Sequence, residues 1–239
     1  MSLGPARFTR ALVRTFAVQG SWNYRTLIGG GLAYALAPLL EGVYSEDSRG
    51  LRRSLEAHAA EFNAHPYLTP IAVGALARIE ADGVDPETRA RFRTALQAPL
   101  GALGDQAIWA GWRPFCILVA GTLFLSGVPV VAATLVFLIG YNVGHIGLRC
   151  WGLRLGWREG LRVGATLKSL PVNRVARTLV VINQALMGIV GALLVARLPG
   201  AQDAVRIGLA AALVGLGGYL VPKRVGGLAI AALIGAMLL

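Results

Sequence analysis

The sequence predicts an all-α, polytopic integral membrane protein with an N-terminal amphipathic helix, re-entrant hairpins and broken transmembrane helices. Three observations carry that reading. Hydrophobic residues make up 55% of the 239 and charged residues only 15%, where a soluble domain carries about 25% charged residues. Mean hydropathy is +0.60. The run from Pro114 to Leu148 contains no Asp, Glu, Lys or Arg, and it is longer than the roughly 20 residues one helical span needs.

The chain begins with an expected amphipathic helix over residues 5–20. Arg7, Arg10 and Arg14 recur at helical spacing, with Phe8, Leu12 and Phe16 on another face. Such a helix suits either an anionic membrane surface or a partner protein. Leu27 to Leu40 and Tyr67 to Ile79 are apolar but too short to span as helices. They read as re-entrant or interfacial segments, tolerated where protein covers their backbone. Mixed-charge helices are expected at about 45–62 and 85–98, the second opened by Asp85 as N-cap and Pro86 at the first helical position.

Gly127-Val128-Pro129 divides the long apolar run into two helices. A basic segment follows, with Arg149, Arg154, Arg158, Arg162, Lys168, Arg174 and Arg177 against the single acid Glu159. The positive-inside rule makes it a cytoplasmic loop. Thr178 to Ala196 reads as a clean span, and Ile207 to Pro222 with Val225 to Leu239 as a last hairpin ending outside. Gly227, Ala231 and Gly235 there have the small-residue spacing that lets membrane helices approach closely. The expected organisation is one membrane domain in five stretches: 1–25, 26–113, 114–148, 149–177 and 178–239. The start lacks a continuous apolar signal-peptide core, because Arg14 interrupts it.

The net charge of +11 does not point to nucleic acid. The basic residues sit between apolar blocks and no groove-reading motif accompanies them. Cys116 and Cys150 form neither a disulfide framework nor a metal motif. His58, Glu61 and His65 could share a helical face as metal ligands, but Pro66 directly afterwards favours a polar helix end. No metal or cofactor is expected. Phosphate loops, nucleophile elbows and Cys-x-x-Cys pairs are absent from the sequence.

Three polar and aromatic clusters remain: Gln19-Gly20-Ser21-Trp22-Asn23-Tyr24, Glu61-Phe62-Asn63-Ala64-His65-Pro66-Tyr67, and Gly104-Asp105-Gln106-Ala107-Ile108-Trp109-Ala110-Gly111-Trp112-Arg113-Pro114. Amides and carboxylates bond pairs of sugar hydroxyls, and aromatic faces cover the C–H face of a sugar ring. The same residues could instead be interfacial anchors, with Asp105 and Arg113 as a structural ion pair.

With Asn142-Val143-Gly144-His145 and Arg149-x-x-Gly152 added, the order and spacing of these clusters is similar to the IID component of the mannose/fructose/sorbose phosphotransferase family, over about residues 8–165. The resemblance implies a multi-pass subunit of the bacterial inner (cytoplasmic) membrane, pairing with a IIC subunit, with the pairs assembling into a trimer. Together the two subunits would bind and translocate a hexose. A cytoplasmic IIB, charged by IIA, would phosphorylate the sugar, and IID itself would carry no catalytic residue.

Transferred residue by residue, the resemblance makes Gln19, Trp22, Asn23, Asn63, Pro66, Asp105 and Trp109 candidate substrate-binding residues. Asn63 and Asp105 would bond hydroxyls and Trp22 would form the ring platform. Gly104, Arg113, Asn142 and His145 would have structural or gating roles. An ionisable group inside an apolar run is functional by default, although His145 could also cap a broken helix. The chain departs from the pattern at Ala64, Gln106 and Cys150-Trp151, and it is shorter after the basic segment. The shortening supports an alternative, a membrane scaffold or regulatory partner without transport. A membrane-embedded enzyme using His145 or Asp105 is a third reading.

Overall fold

The computed structural model describes residues 4–195 together with Arg197 and Gly208. The expected last hairpin and its small-residue stripe lie outside the described residues. Within them the chain is helical, as its composition requires. The helices are α1 (Pro5–Arg14), α2 (Gly29–Val43), α3 (Ser48–Ala59), α4 (Thr69–Ala81), α5 (Pro86–Gly104), α6 (Arg113–Leu125), α7 (Val130–Glu159), α8 (Val163–Ser169) and α9 (Val172–Val195). A π-helical segment, Asp105–Trp112, joins α5 to α6.

The described residues form two compact units, each drawn from two separated pieces of chain: residues 1–105 with 144–170, and residues 106–143 with 171 onward. The reason lies in α7, whose first half contributes to one unit and whose second half contributes to the other.

In the first unit the two short apolar stretches have become α2 and α4, both in the core. Leu32, Leu36, Leu39 and Leu40 of α2 and Ile71, Leu76 and Ile79 of α4 are fully buried or nearly so. Their backbone is thus covered by protein, the condition a short apolar segment must meet. The α4 to α7 crossing depends on glycine. A Cβ at Gly74 would lie 2.2 Å from the Leu153 carbonyl oxygen, and one at Gly156 would lie 2.1 Å from that of Ile71. Only hydrogen in place of a side chain lets two helix backbones pass this closely.

The N-terminal helix departs from expectation. Phe8 and Leu12 do not form an open apolar face for lipid or a partner; they pack on the unit's own core. Phe8 meets Trp157 of α7 edge to face at 5.4 Å. Arg10 pairs with Glu41 at 3.4 Å, and Arg14 donates to the Tyr34 carbonyl at 3.1 Å while lying over the Tyr34 ring. A short chain has few apolar faces with which to close its core, and α2 and α7 use this one.

The basic segment 149–177 is also different from the loop expected. It is largely helical, because α7 runs on to Glu159 and is followed by a 3-10 turn and α8. No proline interrupts it before Pro171, and Gly152 and Gly156 sit against α4. The Asp85–Pro86 start of α5 and the break at Gly127 both occur where the sequence predicts them. The Asp85 side chain accepts from the Thr88 amide, and Gly127 has φ 97°.

In the second unit α6 packs along α9. Among the described residues, the stretches Pro86–Leu125, Val130–Ser169 and Val172–Leu194 are long and apolar enough to cross a membrane.

Candidate functional site

The first two sequence clusters meet through the backbone. Asn23 and Leu27 form an antiparallel bridge, and Leu27 also bridges to Phe62. The Ile28 amide donates to the Phe62 carbonyl at 3.1 Å and the Phe62 amide to that of Thr26 at 3.2 Å. Leu27 takes φ 53°, a left-handed conformation that residues with a Cβ seldom adopt. Such strain persists only where surrounding bonds over-determine it, and here both neighbouring segments hold it.

Asn23 is the lock of that turn. Its Oδ1 accepts from the amides of Arg25 and Thr26, both at 2.9 Å, and its Nδ2 donates to the Thr26 hydroxyl at 2.8 Å and the Ser21 carbonyl at 3.1 Å. Asparagine closes turns by this local bonding. Trp22 is half exposed and meets Tyr24 edge to face at 4.8 Å. Gln19 is exposed beside them.

The second cluster is held open by Arg93, which composition alone would place on the surface. Its guanidinium donates to the carbonyls of His58, Ala60 and Glu61 at 3.1, 2.7 and 3.0 Å and lies over the Phe62 ring. It thereby satisfies the end of α3, whose last carbonyls have no helical partner. The Asn63 amide donates to Gln97 Oε1 at 2.7 Å, and its side chain remains exposed. Pro66 is buried.

The third cluster begins against the second. A Cβ on Gly104 would fall 2.1 Å from that of His65, so glycine alone lets the end of α5 close on this loop. Burial holds the His65 pKa down to about 4. Asp105 pulls it upward and Arg149 pushes it further down. Asp105 itself is exposed.

His145 and Arg149, one turn apart on α7, complete the assembly. His145 stacks on Tyr67 at 4.8 Å with its ring 21° from parallel, and meets Phe16 at 5.9 Å. Arg149 lies over both Phe16 and Tyr67 and donates to the Thr15 carbonyl at 2.6 Å. His145 is therefore a packed ring in an aromatic stack. Arg149, visible in the sequence as a basic residue of the Arg149-x-x-Gly152 motif, is 3% exposed and joins three elements.

Trp109, Arg113 and Asn142 belong to the second unit and are exposed. Asn142 donates to the Leu138 carbonyl one turn earlier at 2.7 Å. Asn183, unnoticed in the sequence, donates to the carbonyls of Ala110 and Gly111 at 3.3 and 2.9 Å. It supplies a partner to π-helical backbone deep among apolar side chains, where an unmet carbonyl is costly.

His58 turns away from the site. Its Nε2 lies 2.9 Å from Glu80 Oε1, while Glu61 is exposed. Among the described residues no three His, Cys, Asp or Glu side chains gather as metal ligands.

The model of the mannose/fructose/sorbose family IID component of the phosphotransferase system matches residues 2–199. The chain belongs to that family. It is 25% identical over 170 residues to the fructose permease IID component of Bacillus subtilis strain 168, covering 69% of this chain and 60% of that protein. It is 24% identical over 156 residues to the mannose-specific EIID component of Escherichia coli K12, covering 63% and 54%. The chain thus spans between half and two thirds of these relatives. A sorbose-specific EIID component of Klebsiella pneumoniae is 23% identical over 205 residues, covering 80% of this chain and 74% of that one.

Two solved structures share the fold seen here. One is described as the structure of a membrane protein, with TM-score 0.69, 20% identity and 79% and 70% coverage. The other is a cryo-EM structure of the mannose transporter ManYZ in complex with microcin E492, with TM-score 0.60, 23% identity and 82% and 72% coverage.

Proposed function

We propose that this chain is the IID half of a sugar permease in a bacterial cytoplasmic membrane, where it pairs with a IIC subunit to bind and translocate a hexose. IIB, charged by IIA, phosphorylates the sugar, and the IIC–IID pairs assemble as a trimer. IID contributes binding groups and no catalytic residue. The relatives' names, which cover mannose, fructose and sorbose, support a monosaccharide substrate.

The observation that supports the reading is that the second cluster is met from two sides within one unit, by the Asn23–Leu27 turn at Phe62 and by His145 at Tyr67. Around that rigid base Gln19, Trp22, Asn63 and Asp105 stay exposed. Exposed amide, carboxylate and indole groups on a fixed scaffold make half of a sugar site, which a second subunit would close. Asn23 and Pro66 act in this reading as locks, with Gly104 and His145 beside them. Trp109, Arg113 and Asn142 are exposed side chains of the second unit, and the short helices α2 and α4 form the re-entrant part.

The test is co-expression with a IIC partner, purification of the pair and a hexose-binding panel. Asn63→Ala and Asp105→Ala are each expected to weaken binding about tenfold, the worth of one or two hydroxyl hydrogen bonds. Unchanged binding and uptake in both variants would remove the site assignment. A pair that assembles but binds no hexose would favour the scaffold reading.

A further inference from the structure

A concavity lies in the first unit beside the second cluster, with which it shares Arg93. It encloses about 540 Å³ between α3, the end of α4 and the start of α5, within the range of pockets that hold small organic molecules, about 300–1,000 Å³.

Its two acids are already committed. Glu80 Oε1 accepts from Ser54 at 2.7 Å and from His58 Nε2 at 2.9 Å, and Oε2 faces the Tyr44 hydroxyl and the Arg89 guanidinium. Asp47 Oδ1 accepts from the Gly50 amide at 2.8 Å, capping α3. What remains toward the cavity is donors. Arg53 and Thr94 line it without a hydrogen bond or ion pair among the described residues. The Nε atoms of Arg89 and Arg93 are buried without an acceptor. Pro86 also lines the cavity and opens the 19-residue α5, so a helix N-terminus adds partial positive charge. Three arginines and a helix start against two satisfied acids favour an anion rich in acceptors.

One further atom narrows the ligand. His58 Nε2 is directed at the Glu80 carboxylate, which leaves Nδ1 as the ring atom free to bond a group able to donate or accept, as a hydroxyl is. That atom is buried and unpartnered, in a residue only 4% exposed. A ligand hydroxyl would satisfy it. Ala57 and Ala90 supply apolar wall for a carbon skeleton.

The geometry points to a binding site for a small hydroxylated phosphate ester, its phosphate held by Arg53, Arg89 and Thr94 and a hydroxyl bonded to His58 Nδ1. The same chemistry is offered by a free sugar phosphate and by the headgroup of a phosphatidylglycerol. This site is independent of the translocation reading, so failure of hexose uptake would leave it untouched.

The test is calorimetric titration of the purified full chain in detergent with three probes: inorganic phosphate, a hexose 6-phosphate and dihexanoyl phosphatidylglycerol. The expected result is saturable binding of the hexose phosphate, with inorganic phosphate competing. Arg53→Gln should weaken it at least tenfold and Thr94→Val about threefold. Both side chains are exposed, so both variants should melt with the wild type in the absence of ligand. Binding of the lipid alone, weakened likewise by Arg53→Gln, would keep the phosphate site and assign it to a headgroup. No saturable binding of any probe, or an Arg53→Gln variant that melts and binds like the wild type, would overturn the proposal.

Discussion

In the first unit, α4 buries eleven of its thirteen residues, among them the carboxylate of Glu80. In the second, the opening half of α7 is at least as apolar, yet Val131, Ile139 and Val143 are each more than 60% exposed. Similar hydrophobicity therefore serves opposite ends. The α4 stretch is a protein interior, dense enough in hydrogen-bonding partners to hold a charge. The α7 stretch faces outward, as a helix does when lipid or another subunit completes its surroundings. The contrast predicts that polar changes inside the first unit are costly and that apolar trimming on α7 is mild.

The largest effect is expected at Glu80. Removing one member of a buried charged network leaves the others unpaired, a loss of about 3–5 kcal/mol. Glu80→Ala should lower the melting temperature of the purified chain far more than Ile139→Ala, and equal melting of the two would dissolve the contrast. Arg149→Met comes next, at about 3 kcal/mol. It strips a buried charge-assisted bond from the Thr15 carbonyl and two cation–π contacts. Gly104→Ala follows at about 2 kcal/mol, the usual cost of forcing a methyl into a filled space. Its readout is melting together with hexose binding by the assembled pair.

What was legible in the sequence divides along similar lines. The Asp85–Pro86 helix start and the Gly127 to Pro129 break could be read directly, because caps and breakers act within a few residues. The clusters at 19–24 and 61–67 were visible as residue types, but not that Asn23 is occupied in closing its own turn. The partners of Arg149 and Glu80 were out of reach. The Arg149 partner lies 134 residues away and the His58 partner of Glu80 lies 22 residues away. A charge at the edge of an apolar run looks the same whether it marks topology or fastens a core. The apolar face of α1 failed for a related reason, since periodicity reports a face and not what covers it.

Acid should sharpen the comparison at a smaller scale. Burial holds His65 down to about 4 from an ordinary value of 6.5, so the unfolded chain gains that proton first as pH falls. Stability is thus fully present above about 6.5 and is lost as pH drops toward 4. For Glu80, burial pushes upward, but hydrogen bonds from His58, Ser54 and Tyr44 outweigh it and hold the carboxyl at about 2. Its share of stability is present above about 4.5 and disappears as pH falls toward 2. Melting curves across pH should therefore show two successive losses, with His65→Gln flattening the upper and Glu80→Gln the lower. A single loss unmoved by either variant would place the acid sensitivity elsewhere.

The smallest effect on stability is expected on α7, and it tests the outward face directly. Replacing Ile139 and Val143 together by Ser should leave the melting temperature in detergent nearly unchanged, within about 0.5 kcal/mol per site, because no packed neighbour is lost. The same pair should reduce recovery with membranes or with a co-expressed IIC subunit, since each hydroxyl must then leave water for an apolar surrounding. The difference between those two readouts is the informative quantity. If melting fell as sharply as for Glu80→Ala, this half of α7 would be packed within its own chain, and the assignment of its apolar surface to lipid or a second subunit would fail.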